Sequence, residues 1–166
     1  MTESSNRVEV RVRVNGRDRA AVVDARRTLV ELLREDLALT GTHVGCEHGV
    51  CGSCTVLVDG ASARACLTLA ARVDGCAVTT IDGLAGDGGS TMSVLQQSCL
   101  ERHSFQCGFC TPGILMVATE LLAENPDPSE AEVREAIAGN LCRCTGYDSI
   151  VAGILHAASV SQGGRS

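Results

Sequence analysis

Cysteines constrain this chain more than any other feature. Residues 43–60 read HVGCEHGVCGSCTVLVDG, placing Cys46, Cys51 and Cys54 within nine positions, with Gly45, Gly49 and Gly52 in the gaps. Small residues at every gap describe a loop wrapped closely around something: a metal ion, an inorganic cluster or a disulfide. Any fold must bring those three thiols together, and the next cysteine, Cys66, follows after eleven intervening residues.

Compartment narrows the choice. The N-terminal MTESSNRVEVRVRVNG has no apolar core of a secretory signal. Nothing in the chain approaches the roughly 18 apolar residues of a membrane span. Ten cysteines in such a chain point to a reducing, cytoplasmic setting, where metal ligation is favoured over disulfides. The formal net charge is −6 and every cationic residue is Arg, a balance that gives no support to nucleic-acid or anionic-membrane binding. Apolar residues make up 45% of the chain, but only Phe105, Phe109 and Tyr147 are aromatic. Two small cores of Ala, Val and Leu are marginal unaided, and metal ligation is a usual remedy.

The chain reads as two halves. VEVRVRV (8–14) has the alternation of a half-buried strand, Asn15-Gly16 supplies a tight turn, and Arg19 to Val23 can return. Thr28 with Glu31 forms a capping box, and Leu29, Leu32, Leu33 and Leu37 line one side of the helix it opens. TVLVDG predicts a strand turning at Asp59-Gly60, ACLTLA is expected to pair back, and AVTTI makes a further strand. GLAGDGGS (83–90) then marks a glycine-rich linker. Beyond it the predicted elements are helices: one capped by Ser90 and running to about His103, and one opening at Thr111-Pro112 and ending before Asn125-Pro126. A third is capped by Ser129 with Glu132 and stops near Gly139, and a last helix spans about Asp148 to Ala158. The resulting division is 1–82, linker 83–90, 91–158 and a flexible tail at 159–166.

In the first half, C-x4-C-x2-C followed by a distant Cys is the plant-type ferredoxin spacing for a 2Fe–2S cluster. Three thiolates would come from one loop and one from a facing strand. Glycines would let backbone N–H groups approach the anionic sulfurs. A tetrahedral zinc site usually pairs short spacings, which this set lacks. His48 follows Cys46 by two, but a Rieske centre needs two histidines on one iron, and Cys54 stands at the matching position. In the second half, Cys107 and Cys110 precede a helix and Cys142 and Cys144 follow another. Spacing alone leaves that set open between zinc and an iron–sulfur cluster. Cys76 and Cys99 have no partner at ligand spacing and read as small apolar residues. His43, His103 and His156 read as structural or exposed. No nucleophile–base pair or phosphate loop is present, so the chain looks like a conductor and not a catalyst.

Taken together, GCEHGVCGSCTVLVDG, RACLTLA, QCGFCTPG and GNLCRCTGY strongly resemble the iron–sulfur small subunit of molybdenum hydroxylases. That family includes xanthine dehydrogenase, aldehyde oxidoreductase and aerobic carbon monoxide dehydrogenase. The resemblance implies an α+β chain with a plant-ferredoxin-like β-grasp domain followed by an all-α four-helix domain. It assigns one 2Fe–2S cluster to Cys46, Cys51, Cys54 and Cys66, and a second to Cys107, Cys110, Cys142 and Cys144. It further implies a large subunit holding a molybdopterin-type cofactor and a medium subunit holding FAD, assembled as a dimer of heterotrimers. Electrons released at molybdenum would leave singly through the helical-domain cluster, then the ferredoxin-domain cluster, to FAD. Gln106 matches a position that hydrogen-bonds the pterin, and Cys144 matches the thiolate nearest to it. The competing reading is a free-standing two-cluster ferredoxin-type carrier, for which the second half has no evident use.

Overall fold

The computed structural model describes residues 6–85 and 91–163. Its first element, β1 (Arg7–Val14), buries Val10, Val12 and Val14 on one face and leaves the intervening Arg and Glu residues in water. Asn15 and Gly16 both take positive φ (51° and 76°), as a two-residue hairpin turn requires. β2 (Arg17–Asp24) then returns antiparallel, with Val10 opposite Ala21. β3 (Thr55–Val58), β4 (Ala61–Arg64) and β5 (Ala77–Thr79) complete a mixed sheet in the order β2-β1-β5-β3-β4, in which β1 and β5 run parallel.

The helix against this sheet, α1 (Leu29–Glu31), starts at the expected capping box. Thr28 Oγ1 accepts from the Glu31 N–H, and the Glu31 carboxylate accepts from the Thr28 N–H at 2.7 Å. It is shorter than the leucine pattern predicts. After one turn it widens into a π turn at Leu32–Asp36, closed by Leu37 N–H to Leu32 C=O. The wide turn keeps Leu29, Leu32 and Leu33 fully buried while turning the chain away towards the cysteine loop.

ACLTLA does not form the pairing strand. The tight turn at Asp59-Gly60 commits the very next residues, so Ala61–Arg64 pairs with β3 and 65–70 is left to turn. That turn is tied to α1 instead, through Val30 N–H to Ala65 C=O and Leu29 N–H to Thr68 C=O.

Beyond the linker lie α2 (Val94–Glu101), α3 (Thr111–Glu124), α4 (Glu130–Ile137) and α5 (Asp148–Gly163). Ser90, expected to cap the first of these, falls outside the described residues; Ser93 caps α2, in a box with Gln96. Pro112 lies in the first turn of α3, Asn125 ends it, and Ser129 with Glu132 caps α4, as the sequence predicts. α5 continues to Gly163, so residues 159–163 are helix where a flexible tail was expected.

Two apolar clusters result. One joins Val10, Val14, Leu29, Leu32, Leu33 and Val56 under the sheet; the other joins Leu95, Ile114, Val133, Ile137, Ile150 and Ile154 among the helices. α3 packs on β3 and β4, which sets the helical half against the sheet edge carrying the cysteine loop. Among the described residues, no helix is long and apolar enough to cross a membrane.

Candidate metal centres

The first cysteine set is held by one loop and one turn. Cys46 and Cys51 lie in the loop that leaves the π turn, Cys54 at the foot of β3, and Cys66 two residues past β4. The thiols meet in pairs. The Cys51 N–H donates to Cys46 Sγ at 3.4 Å with the Cys51 thiol alongside, and Cys54 meets Cys66. Backbone N–H groups of Cys51 and His48 draw the Cys46 thiol down to about 6, while burial pushes Cys54 up to about 11. Cys66 therefore comes from a turn, not from the facing strand that spacing suggested.

The second set is assembled from two distant segments. Cys107 Sγ lies 3.5 Å from Cys144 Sγ, and Cys110, the residue before α3, meets Cys142. Burial, with Cys142 beside it, pushes Cys110 up to about 12. Burial also raises Cys142, but hydrogen bonds from the Thr145 hydroxyl and from backbone N–H groups outweigh it and leave that thiol below its ordinary value. Cys107 and Cys144 are exposed, as is Gln106, so these three share an open face. Cys76 and Cys99 join neither set; Cys99 is buried in the helical core.

Paired thiols fit a two-iron cluster, because each iron takes two thiolates. Among the described residues, no three His, Cys, Asp or Glu side chains gather as they would around a single metal ion. Thr111 Oγ1, one residue past Cys110, is buried without a protein partner. His48 bonds back to the Cys46 carbonyl through Nδ1, and His43 Nδ1 lies 2.9 Å from the Phe109 carbonyl. Both histidines thus brace the ligand loops.

A buried junction ties the two sets together, and the sequence gives little warning of it. The Leu141 N–H donates to the Cys51 carbonyl at 2.9 Å. Asn140, 1% exposed, donates through Nδ2 to the Gly52 carbonyl at 2.9 Å. Arg64 reaches the Gly139 carbonyl at 2.7 Å and also bonds Thr55 Oγ1. Gly52 (φ +74°) has no room for a side chain, since a Cβ would fall 2.6 Å from the Gly139 oxygen. A Cβ on Gly113 would overlap the Gly52 carbonyl oxygen. Asn140, Arg64 and Gly113 carry no ligand chemistry, so only their places beside the cysteine motifs could have marked them.

Two family models match successive parts of the chain. Residues 12–80 match the model of a 2Fe-2S iron-sulfur cluster binding domain, and residues 80–155 match that of a 2Fe-2S binding domain. The zinc alternative for the second half is thereby closed. The chain is 57% identical over 153 residues to the nicotine 6-hydroxylase small subunit of Paenarthrobacter nicotinovorans, covering 92% of this chain and 91% of that protein. It is 50% identical over 141 residues to caffeine dehydrogenase subunit gamma of a Pseudomonas species, covering 83% of each. The crystal structure of quinoline 2-oxidoreductase from Pseudomonas putida 86 superimposes with a TM-score of 0.91 at 47% identity, covering 98% of this chain and 100% of that one.

Proposed function

The chain belongs to the iron–sulfur small subunits of the molybdenum hydroxylases, and on that premise we propose that it passes single electrons from a molybdenum–pterin centre on a large partner subunit to FAD on a medium one. It is the non-catalytic subunit of a molybdenum-dependent oxidoreductase. In this reading Cys46, Cys51, Cys54 and Cys66 hold one cluster in a ferredoxin-like β-grasp domain. Cys107, Cys110, Cys142 and Cys144 hold the other in an all-α four-helix domain. A 2Fe–2S cluster takes up and gives up one electron at a time, at a potential set by its hydrogen bonds, charge and exposure.

The protein's own part is positional. The thiols supply ligands as thiolates, the two cores keep Cys54, Cys66 and Cys110 from water, and the junction fixes the separation of the sets. The observation that carries the reading is the Leu141 N–H to Cys51 C=O bond, which joins a ligand residue of one set to the neighbour of a ligand in the other. The open face carrying Gln106, Cys107 and Cys144 is the side assigned to the pterin. Gln106 there offers an amide to the pterin edge, and Cys144 offers the nearest sulfur.

Analysis and rapid kinetics of the purified complex test this. The complex should contain four irons and four acid-labile sulfides per copy of this chain, two of each for each matched domain. Reduced samples should show two distinguishable paramagnetic centres. The chain should co-purify with two larger subunits, as a dimer of heterotrimers, and show no substrate oxidation alone. Isolation as a lone protein that exchanges electrons with soluble partners would support the free-standing carrier instead. Cluster reduction after FAD reduction, when substrate is mixed in, would reverse the proposed order.

A further inference from the structure

The loop after Cys142 bends sharply. Gly146 and Tyr147 both have positive φ (69° and 74°), and Tyr147 is not a glycine. Left-handed backbone at a bulky residue is costly and is kept where surrounding contacts enforce it. Here it turns Tyr147 back over its own loop. The Tyr147 hydroxyl accepts from the Cys142 N–H at 2.8 Å and donates to the Asn140 carbonyl at 3.2 Å. The Tyr147 N–H donates to Thr145 Oγ1 at 3.1 Å. Thr145 Oγ1 lies 3.2 Å from Cys142 Sγ.

With Cys142 ligating as a thiolate, as assigned above, these contacts leave Thr145 as the donor. A threonine hydroxyl has one proton and two lone pairs. The Tyr147 N–H takes a lone pair, and a metal-bound thiolate has no proton to give. The Thr145 proton therefore points at the sulfur. We propose that Thr145 is a potential-tuning residue, whose O–H···S bond to Cys142 raises the reduction potential of the cluster in the helical half. The proposal rests on the ligand assignment given above. Its physical basis is that an added electron increases negative charge on the ligand sulfurs, and a fixed O–H donor stabilises that state more than the oxidised one.

The test is a dithionite titration of the complete complex, followed by electron paramagnetic resonance. The helical-half signal is identified as the one perturbed by Cys144→Ser. Thr145→Val keeps the side chain's shape but removes the donor. It should make reduction of that cluster about tenfold less favourable, equivalent to about 59 mV for one electron. The ferredoxin-half cluster should stay where it is, and Thr145→Ser, which keeps the hydroxyl, should restore the wild-type potential. No shift, an upward shift, an equal shift of both clusters, or a Ser variant that behaves like Val would overturn the proposal. Iron content of the wild-type complex tests the ligand assignment separately: a full complement with no shift removes Thr145 alone. Should Val fail to load iron, Thr145→Ala takes its place. If neither loads the helical half while Ser does, the hydroxyl serves assembly and the tuning role is wrong.

Discussion

The sheet-bearing half and the helical half solve one problem, four thiols in two pairs, by opposite means. In the first, three thiols come from one nine-residue loop, and the fourth from the turn after β4. Glycines let that loop close on itself, and Cys54 and Cys66 are buried. In the second, the thiols come from two segments some thirty residues apart in sequence, near the ends of helices. Side chains complete that site: Thr145 at the sulfur of Cys142, Tyr147 at its N–H, and Asn140 across to the other half. A local loop gives a closed site, while a site built from remote helix ends stays open on one face. The open one is the face that the proposed function turns towards the partner's cofactor.

The largest test of that contrast removes a proposed ligand from the closed site. Cys51→Ser should cost the ferredoxin half its cluster and on the order of several kcal/mol of stability, because metal binding energy is also folding energy. Cys76→Ser, outside both sets, should change stability by about 1 kcal/mol or less. Iron content and thermal unfolding of the two variants decide the matter; equal losses would mean that ligation does not carry the fold.

Next comes the junction. In an ordinary helix, Gly→Ala is favourable by about 1 kcal/mol. At Gly113 the sign should reverse, because the new Cβ meets the Gly52 oxygen and lies 2.8 Å from Asn140 Nδ2. A loss of about 1–3 kcal/mol is expected. A stabilised Gly113→Ala in denaturant titration would show that α3 and the cysteine loop can part freely. Asn140→Ala should cost somewhat less, about 1–2 kcal/mol, since the Gly52 carbonyl keeps the Thr55 N–H and hydroxyl as donors. Its sharper readout is the magnetic interaction between the two reduced centres. That interaction should weaken if Asn140 sets their separation, and an unchanged splitting would confine Asn140 to local packing.

What the sequence made legible follows the same divide. The β1–β2 hairpin, the capping boxes at Thr28 and Ser129 and the end of α3 at Asn125 were readable, because each depends on residues within a few positions of one another. The first thiol set had a spacing rule for the same reason. Local patterns did not reveal that the Asp59-Gly60 turn would take 61–64 as the pairing strand and leave Cys66 in a turn. Nor did they reveal the π turn at Leu32–Asp36, where burial of three leucines overrides helical register. The second thiol set was open to two metals on spacing, since nothing local says that Cys107 will meet Cys144. Asn140 and Arg64 act across the fold, and Thr145 and Tyr147 reach Cys142 only through the positive φ of Gly146 and Tyr147, so their roles required coordinates.

The smallest expected effect lies on the open face, and it separates the two residues assigned to the pterin. Cys144→Ser replaces a soft thiolate with a harder, less readily ionised oxygen, so the helical-half cluster should be lost or shifted in potential. Gln106→Ala leaves every thiol in place. Gln106 is exposed, so its loss should leave stability within about 0.5 kcal/mol of wild type and both clusters at full occupancy. What it removes on the proposed reading is one hydrogen bond to the pterin, worth about 0.5–1.5 kcal/mol net, and FAD reduction should then slow by about two- to tenfold. Stopped-flow spectroscopy of the complex, following cluster and flavin absorbance after substrate is added, reads both variants. Cys144→Ser should let substrate reduce molybdenum while FAD stays oxidised far longer, and Gln106→Ala should show the same order of events, slowed only in part. If both variants reduce FAD at the wild-type rate, the open face is not the entry point for electrons, and the contrast between a closed and an open site loses its functional meaning.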